Sequence, residues 1–441
     1  MTPRTLAFID PGMRLTPFLC AAVHQLPAGV RPAFFALRPK PRSILHRCGH
    51  AAAPTRKNTD VQHRTGARAG QPGADIDADT LMAGLRLDAD RAAVASASPR
   101  YRAIEASVRG FLGRADPAGV FGWNGSGLAA GIAAQIARDR GISVAYGENG
   151  YLPGTMQLDP LGVNAAASFG PAHTELRQIL SLRWTDAERD TLHAVLEAYR
   201  RGERHVPAVR RPPGLRASPL AYLRQALSDL RRWEPRQPGN RLVPQPPPAL
   251  PERYVFFPLQ VRQDSQLTVH SPVYGHRLDE AVADLVAALT DVAPDTRLVV
   301  KLHPADRHKT DYDPVIRRFP QVVWLDGGDI RQILHSAAAV VTVNSTVGVE
   351  ALVFDRPVIV LGNAVYGFDG LVRPVTDRAA LPAALSDALD AGNDPETTRR
   401  YLLFLYFKAL THAHPDDYST ASTRHFCDRL IHILNRADAP G

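Results

Sequence analysis

The second half of the chain alternates short apolar runs with segments of helical periodicity. Strands are predicted at Tyr254–Pro258, Arg297–Lys301, Val322–Leu325, Ala339–Val343 and Val358–Leu361. Between the strands, apolar residues recur every three or four positions, as they do from Leu278 to Leu289. Strands that are apolar throughout, rather than at every second residue, are typical of a parallel sheet covered by helices on both faces. The second half is therefore predicted to be a parallel α/β domain.

The first half shows the same alternation with one long interruption. It predicts a strand, a helix and a strand at Thr5–Asp10, Thr16–Gln25 and Ala33–Leu37. A strand, glycine turn, helix and strand then follow from Gly119 to Tyr146, which is a βαβ unit. Residues 40–98 are poor in aromatic residues and lack periodicity, so we expect an irregular excursion there that is partly disordered.

The two halves are joined by residues 206–252, in which arginine and proline dominate. We predict an N-terminal, acceptor-side Rossmann-like domain at residues 1–205, this linker, and a nucleotide-donor-binding domain with C-terminal helices at residues 253–441. Residues 218–233 form a possible amphipathic helix with flanking arginines, which either rests on an anionic membrane or packs on its own domain. Ligands of open parallel sheets bind at the carboxyl ends of the strands, so the site is expected in the cleft between the domains.

Composition narrows the class of protein. With 441 residues, 45% of them hydrophobic and 22% charged, the chain suits two globular domains. Three widely spaced cysteines fit neither a disulfide framework nor a cysteine-based zinc site and favour a reducing compartment. The first apolar stretch is interrupted by Asp10, Pro11 and Arg14, so no signal peptide is predicted, and no apolar run is long enough to span a bilayer. We expect a cytoplasmic protein that is soluble or held on a membrane surface.

The formal net charge of +8 indicates an anionic partner, which is nucleic acid, an anionic lipid surface or a phosphorylated small molecule. No basic patch interleaved with aromatic residues supports nucleic-acid binding, so none is predicted.

The first chemical motif is Lys301-Leu302-His303-Pro304, directly after a predicted strand. Lys301 and His303 share one side of the chain because side chains alternate along a strand. Two cations at the ligand-binding end of a sheet suit a phosphate or carboxylate, with His303 also a candidate catalytic group. The alternative is a strand that simply ends in polar residues.

The second motif runs from Asn344 to Leu352, where the strand Ala339–Val343 meets a helix. Ser345 or Thr346 is predicted to cap this helix, whose free N–H groups would bind an anion. Gly348 would allow a ligand to approach closely, and Glu350 could reach a ribose diol. The alternative is a plain capping box, although Glu350 lies four residues after Thr346 rather than three.

The third motif lies in the first half, where Glu148-Asn149-Gly150 follows a strand and Asp159-Pro160 comes shortly after. A carboxylate at the carboxyl end of a strand points into the cleft, where a general base or nucleophile is needed, so Glu148 and Asp159 are catalytic candidates. The alternative is that Asn149-Gly150 and Asp159-Pro160 are ordinary turn dipeptides. In the second half, Gln260 and Asp264 lie in a polar loop that either binds base or sugar or is merely solvated.

Together these residues resemble the Kps-type capsule polysaccharide biosynthesis family, the retaining β-Kdo transferases of Gram-negative capsule assembly. The resemblance covers roughly residues 119–370 and rests on motifs in family order: Trp123-Asn124-Gly125, Glu148-Asn149-Gly150-Tyr151, Gly162-Val163-Asn164, Pro258-Leu259-Gln260-Val261, Lys301-x-His303-Pro304 and Asn344-Ser345-Thr346-Val347-Gly348-x-Glu350-Ala351-Leu352. It is closer to the branch that starts the poly-Kdo linker on a lipid than to the elongating branch. The elongating branch has Glu-Asp-Gly where this chain has Glu148-Asn149-Gly150, so a role that depends on that aspartate does not carry over.

The resemblance implies a GT-B architecture, CMP-Kdo as donor, a phosphatidylglycerol-type lipid acceptor, and retention of configuration without metal or cofactor. It also implies peripheral association with the inner membrane and capsule assembly proteins as partners. Lys301 and His303 would hold the donor phosphate, Asn344, Ser345 and Thr346 would line the nucleotide site, and Glu350 would lie near the ribose. Glu148 would be the catalytic carboxylate. The polar residues of the first-domain motifs are expected on the acceptor side of the cleft: Asn124, Gly125, Asn149, Tyr151 and Asn164.

Two other functions remain open. One is another transferase of surface polysaccharide synthesis on the same scaffold, using a nucleotide sugar or CDP-glycerol. The other is a non-catalytic capsule export or scaffold protein. Asp-x-Asp pairs at residues 75–79, 88–90 and 311–313 resemble metal-binding motifs, but the first two lie in the irregular excursion and the third opens a helix, so no metal is predicted.

Overall fold

The computed structural model describes residues 4–53, 99–125, 127–203, 215–230, 240–244, 247–262, 264–306 and 309–436. Most of the predicted excursion at residues 40–98 therefore lies outside the described residues. Its first part is regular, because a helix and a short strand occupy residues 39–53. The prediction of irregular structure is wrong for that part.

The first sheet is built mainly from the N-terminal half. Its first six strands are β1 (Arg4–Ile9), β2 (Val30–Phe35), β3 (Ala52–Ala53), β4 (Pro117–Trp123), β5 (Ser143–Asn149) and β6 (Met156–Asp159). The helices that accompany them are α1 (Gly12–Ala22), α2 (Pro39–Arg47), α3 (Pro99–Ala115) and α4 (Leu128–Asp139). Strands β1 to β5 pair in parallel, and β6 is antiparallel to β5. The predicted βαβ unit is β4, α4 and β5.

Three helices connect the two sheets: α5 (Leu176–Leu180), α6 (Asp186–Arg200) and α7 (Pro219–Leu230). Helix α6 has a capping box, in which Thr185 and Glu188 each accept a hydrogen bond from the other's backbone N–H. Its buried Leu192 and Leu196 join the hydrophobic core of the second sheet. This part of the first predicted domain thus packs on the second.

The second sheet has six parallel strands in the order β12-β11-β10-β7-β8-β9. They are β7 (Tyr254–Pro258), β8 (Arg297–Lys301), β9 (Val323–Leu325), β10 (Ala339–Thr342), β11 (Val358–Val360) and β12 (Arg373–Pro374). The first five match the predicted strands to within one residue at each end. The accompanying helices are α8 (Ser265–His270), α9 (Leu278–Val292), α10 (Asp313–Arg318), α11 (Ile330–Ser336), α12 (Val347–Val353), α13 (Leu381–Ala391) and α14 (Pro395–Phe404).

Strand β7 shows why the second-half strands are apolar throughout. All five of its residues are buried. Tyr254 and Phe256 belong to the hydrophobic cluster on one face of the sheet, whereas Val255 and Phe257 belong to the cluster on the other face. Because helices cover both faces, no position along the strand faces water.

The chain then returns to the first sheet. A π-helical turn at Leu405–Ala409 leads into β13 (Leu410–Thr411), which pairs antiparallel with β6. The last helix, α15 (Thr420–Arg436), packs on the core of the first sheet through Phe426. The predicted boundaries group the C-terminal helices with the second domain, but this last helix lies on the first.

The predicted class, α/β with two parallel-sheet Rossmann-type layers of the GT-B kind and C-terminal helices, is confirmed by these sheets. In the described part of the chain, no helix is both long enough and apolar enough to cross a membrane.

Replacing Phe426 by alanine tests whether the C-terminal helix belongs to the first core. The Phe426 ring is fully buried and lies edge-on to Phe18 and Phe121, with centroids 5.2 and 5.5 Å away. We expect Phe426→Ala to lower the free energy of unfolding by about 3–5 kcal/mol, because it removes this contact and leaves a cavity. Chemical denaturation measures the loss. The exposed neighbour Arg424→Ala should change it by less than ~0.5 kcal/mol; equal effects of the two substitutions would show that α15 is not part of this core.

Candidate active site

Glu148 lies at the carboxyl end of β5, next to the end of β4. One oxygen of its carboxylate accepts hydrogen bonds from the backbone N–H and the side-chain amide of Asn149, both at 2.8 Å. The side chain of Asn124, at the end of β4, also hydrogen-bonds Glu148. Asn124 has a positive φ of 46°, and Gly125 after it has φ 68°, so the chain turns sharply at this edge of the sheet. Three predicted residues, Glu148, Asn149 and Asn124, therefore meet at one point.

Burial raises the pKa of Glu148 above its ordinary value, and the hydrogen bonds from Asn149 and Asn124 only partly oppose this. The negative charge of Asp264 raises the pKa further. Asp264 belongs to the second half, where its side chain caps α8 by accepting from the N–H of Gln266 at 3.0 Å. The Glu148 motif and the polar loop predicted from the second half therefore face each other.

His303 follows β8 at the carboxyl edge of the second sheet. Burial lowers its pKa, the Asp306 carboxylate opposes this, Lys301 lowers it again, and Asp264 raises it. Asp264 is thus within electrostatic range of both His303 and Glu148. The ring atom Nδ1 of His303 accepts a hydrogen bond from the N–H of Ala305 at 3.1 Å. A neutral His303 must then carry its proton on Nε2, which leaves that atom as a donor.

Lys301 lies two residues before His303, at the end of β8. It is partly buried, and burial lowers the pKa of its ammonium group, while the nearby Asp326 raises it. Losing water makes a positive charge less stable in an empty site, and a bound anion would reverse this effect. Lys301 is therefore suited to an anionic ligand.

A pocket of about 320 Å³ lies beside the turn that follows Glu148 and is lined from both halves of the chain. The first half contributes the turn Gly150–Gly154 after Glu148, and the second contributes Thr346 and Glu350. Burial raises the pKa of Glu350, and the hydroxyl of Tyr199, which donates to the Glu350 carboxylate, opposes this. The second and third predicted motifs are thus brought together.

The plain capping box, which was the alternative for the second motif, is wrong. Helix α12 has seven residues, and the Thr346 side chain makes no capping hydrogen bond. Ser345 Oγ instead accepts from the N–H of Val347 at 3.2 Å. Glu350 turns away from the helix start to Tyr199.

The prediction that Gly348 admits a ligand is also wrong. A Cβ atom on Gly348 would lie 2.2 Å from the hydroxyl oxygen of Tyr366. The Tyr366 hydroxyl donates to the carbonyl oxygen of Ser345 and therefore occupies that space. The glycine is needed for packing within the protein.

Gln260 and Asn344 bind each other rather than pointing free groups at a ligand. Gln260 Nε2 donates to Asn344 Oδ1 at 2.9 Å, and the N–H of Asn344 donates to Gln260 Oε1 at 3.1 Å. The Asn344 amide also donates to the carbonyl oxygen of Gln266 at 2.8 Å. Both side chains are buried, so they join the ends of β7 and β10 and support the site from behind.

Asp159 is a structural carboxylate. Its side chain is 1% exposed and accepts hydrogen bonds from the N–H groups of Leu161, Gly162 and Ser168 and from the Ser168 hydroxyl. These four bonds shape the loop after β6 and leave no free lone pair facing the cleft. The contacts contradict the catalytic role predicted for Asp159.

Tyr151 and Asn164 also act within the protein. The buried Tyr151 donates from its hydroxyl to Asn164 Oδ1 at 2.8 Å. Gln157 donates to the same oxygen at 3.0 Å and accepts from the Asn164 N–H at 2.8 Å. These bonds hold the loop beside Glu148, so the two residues support the cleft rather than line its surface with free groups.

The predicted motifs do not include a cluster of side chains, drawn from both ends of the chain, that contacts Asn149 beside Glu148. Arg14 in α1 forms an ion pair with Asp416 at 2.8 Å and donates to Asn149 Oδ1 at 3.1 Å. One guanidinium nitrogen of Arg14 lies 3.4 Å from His414 Nε2, and His414 also lines the pocket. The His412-x-His414-x-Asp416 pattern was the only signal in the sequence.

Among the residues that the structure describes, no three His, Cys, Asp or Glu side chains are grouped so as to hold a metal ion. The Asp-x-Asp pairs at residues 75–79 and 88–90 lie outside the described ranges. The carboxylate of Asp313 accepts from the N–H groups of Arg241 and Leu242. Independence from metal stays a prediction.

Residues 218–383 match the family model described as capsule polysaccharide biosynthesis protein. Protein FixF of Sinorhizobium fredii is 29% identical over 285 residues, which are 64% of this chain and 58% of FixF. The capsule polysaccharide export protein KpsS of Escherichia coli is 33% identical over 140 residues, covering 30% of this chain and 36% of KpsS. The capsule polysaccharide modification protein LipB of Neisseria meningitidis is 31% identical over 138 residues, covering 29% and 32%. The matches thus span from about a third to somewhat over half of these relatives.

Among solved structures, KpsC of Thermosulfurimonas dismutans, titled a β-Kdo 2,7 transferase, aligns with a TM-score of 0.44 and 15% identity. The alignment covers 74% of this chain and 89% of that one. A similarity this low does not bear on activity.

Asp159→Asn should separate a structural carboxylate from a catalytic one. The new amide presents hydrogen atoms to the Ser168 donors, so we expect the free energy of unfolding to fall by about 1–3 kcal/mol. The matched control is Glu148→Gln. Because burial raises the pKa of Glu148, its contribution to stability is present at low pH and lost as the pH rises, so a neutral glutamine should not destabilise the protein at pH 7. An Asp159→Asn protein as stable as the parent would contradict the structural role.

Proposed function

We propose that this chain, which is similar to capsule polysaccharide biosynthesis proteins over residues 218–383, belongs to the Kps-type family and is a glycosyltransferase that moves Kdo from CMP-Kdo to a phosphatidylglycerol-type lipid. The observation that carries the proposal is the position of Asp264, whose charge acts on Glu148 of the first half and on His303 of the second. A carboxylate and a phosphate-binding pair thus share one cleft.

Lys301 and His303 are assigned to the leaving group. When the bond between Kdo and CMP breaks, the electron pair stays on the phosphate, and negative charge develops there. The Lys301 ammonium group and the Nε2–H of His303 supply preorganised positive charge and a donor at that point. Because burial lowers the pKa of both groups, each gains more from an approaching anion than an exposed residue would.

Glu148 is assigned as the catalytic carboxylate. Its raised pKa makes it a stronger base and nucleophile than an exposed glutamate. For retention, Glu148 bonds to the anomeric carbon as CMP departs with the bonding electrons. The acceptor oxygen then displaces Glu148, and its proton passes to the CMP phosphate held by Lys301 and His303. Asn149 and Asn124 keep the carboxylate in position through their hydrogen bonds.

Glu350 and Thr346 are assigned to the nucleoside. The Glu350 carboxylate is held by Tyr199 and lines the pocket with Thr346, so its remaining lone pairs suit the two ribose hydroxyls. At about 320 Å³ the pocket is at the small end of ligand sites, which fits a nucleoside rather than a whole nucleotide sugar. The sugar would then extend toward Glu148, next to the turn that the pocket shares.

A capsule export role without catalysis is the second candidate, favoured by the name of the relative KpsS, an export protein. The two functions differ in one observable. A transferase releases CMP only as it transfers sugar, whereas an export or scaffold protein releases none. Buried groups that face one another across a cleft support the transferase.

Incubation with CMP-Kdo should give CMP release that depends on phosphatidylglycerol and is absent with UDP-sugars. We expect His303→Ala and Glu148→Gln each to lower kcat at least about a hundredfold, because each removes a group that acts in the transition state. The exposed His173→Ala and Glu252→Gln are matched controls and should keep parental rates. Turnover at the parental rate in either site variant would remove that residue from the mechanism, and lack of CMP release in the parent would favour the export role.

The pH dependence offers a second test. Since Glu148 must be ionised, kcat/KM should fall as the pH drops through its pKa, which lies above the ordinary 4.5. Asp264→Asn removes a negative charge that raises this pKa, so the acidic limb should move to lower pH. Burial still acts, so the limb should stay above the ordinary range. Asparagine can still cap α8 by accepting from Gln266.

The control for that experiment is Asp291→Asn, which removes an exposed carboxylate near the end of α9. The acidic limb of the kcat/KM profile of this control variant should coincide with that of the parent. An acidic limb that does not move in Asp264→Asn, or that moves to higher pH, would show that Glu148 is not the group whose ionisation limits the rate.

A further inference from the structure

Helix α7 is attached to the first domain by its small side chains. Ala217, just before the helix, and Ala221 and Gln225 within it are buried. The helix packs on α2, where the Ser218 N–H donates to Ser43 Oγ at 2.9 Å. The sequence pattern is compatible with two positions for this segment, on a membrane or on its own domain. The structure shows that the face with the small side chains packs on its own domain.

The leucines lie on the opposite side. Leu220, Leu223 and Leu227 are 53%, 57% and 50% exposed, and their spacing places them on one stripe of the helix. Of the six large apolar side chains exposed among the described residues, four are on α7, including Tyr222. A helix of a globular protein normally buries its apolar stripe, so an apolar stripe turned outward marks an interaction surface.

Basic residues border this stripe. Arg216, Arg224 and, on α2, Arg47 are exposed, and the Lys40 ammonium lies 4.5 Å from the centre of the Tyr222 ring. The sequence of α2 contains no acidic residue, and that of α7 contains one, Asp229. The surface is thus apolar along its centre and positive around it.

We propose that α7 and the adjoining face of α2 dock on the surface of an anionic phospholipid bilayer. The leucines enter the boundary between headgroups and acyl chains, and the basic side chains lie among the phosphates. A single apolar stripe between basic residues complements a flat anionic surface. The occupant is therefore a bilayer.

The position of this surface connects it to the cleft. Helix α2 begins directly after the carboxyl end of β2, and Glu148 lies at the carboxyl end of β5 in the same sheet. A bilayer on α2 and α7 would therefore lie beside the acceptor side of the cleft. That a lipid passes from this bilayer to Glu148 rests on the proposed function, whereas docking itself does not.

Sedimentation with vesicles tests the docking. The full chain should bind vesicles of phosphatidylglycerol and phosphatidylcholine, and bind much less to phosphatidylcholine alone or at high salt. The variant Leu220→Gln/Leu223→Gln/Leu227→Gln should partition at least about tenfold less. Lys40→Gln/Arg224→Gln should lose roughly tenfold on the anionic vesicles only. Leu242→Gln, on a leucine 41% exposed elsewhere, is the matched control and should bind as the parent does.

The outcomes separate docking from catalysis. The leucines and Arg224 are exposed and Lys40 is half-buried, so the melting temperature should change little, and transfer to a monomeric short-chain phosphatidylglycerol should stay at the parental rate. Vesicle binding that depends on the leucines would support docking even if no CMP is released. Undiminished vesicle binding in the triple-leucine variant overturns the proposal, as does a parental dimer that this variant converts to monomers without loss of vesicle binding, because the stripe would then bind a second copy.

Discussion

The site depends on a repulsion between carboxylates that the fold maintains across two domains. Glu148 ends a strand of the first sheet, Asp264 caps a helix of the second, and the charge of Asp264 raises the pKa of the buried Glu148. The same Asp264 favours the charged form of His303. A phosphate that binds His303 and Lys301 would offset the cost that burial imposes on those cations. The cleft therefore has partly buried cations on one side and a buried carboxylate of raised pKa on the other, which suits the leaving group and the reacting carbon of the proposed transfer.

This arrangement requires the two sheets to be held in register, and the chain achieves it by crossing between them. Helix α6 packs on the core of the second sheet, and after the second sheet is complete β13 and α15 return to the first. The return also brings Asp416 to Arg14, 402 residues away in sequence, and Arg14 in turn contacts Asn149 beside Glu148. Packing of the C-terminal segment therefore also contributes to the position of Asn149 beside the Glu148 carboxylate.

The sequence predicts the second sheet nearly residue by residue, because strands buried on both faces are apolar throughout and no local signal competes with that pattern. It also identifies Glu148 and His303, which lie within electrostatic range of the same Asp264. It fails where a role depends on what lies across the fold. The Asp159 carboxylate accepts hydrogen bonds from a loop that includes Ser168, nine residues further along the chain. The space beside Gly348 is filled by Tyr366. Tyr199, which holds Glu350, has no local signature because its partner is 151 residues away.

Helix α7 shows the same limit. A stripe of leucines with flanking arginines predicts an amphipathic helix, but periodicity alone does not say whether the leucines face the protein or the solvent. Here alanines and a pair of serine hydroxyls make the intramolecular contact, since they allow close approach to α2. The leucines are then available to contact an apolar surface outside the protein. Because the helix packs through its small face, its exposed leucines are not needed for that contact, and they fit the proposed docking on a bilayer.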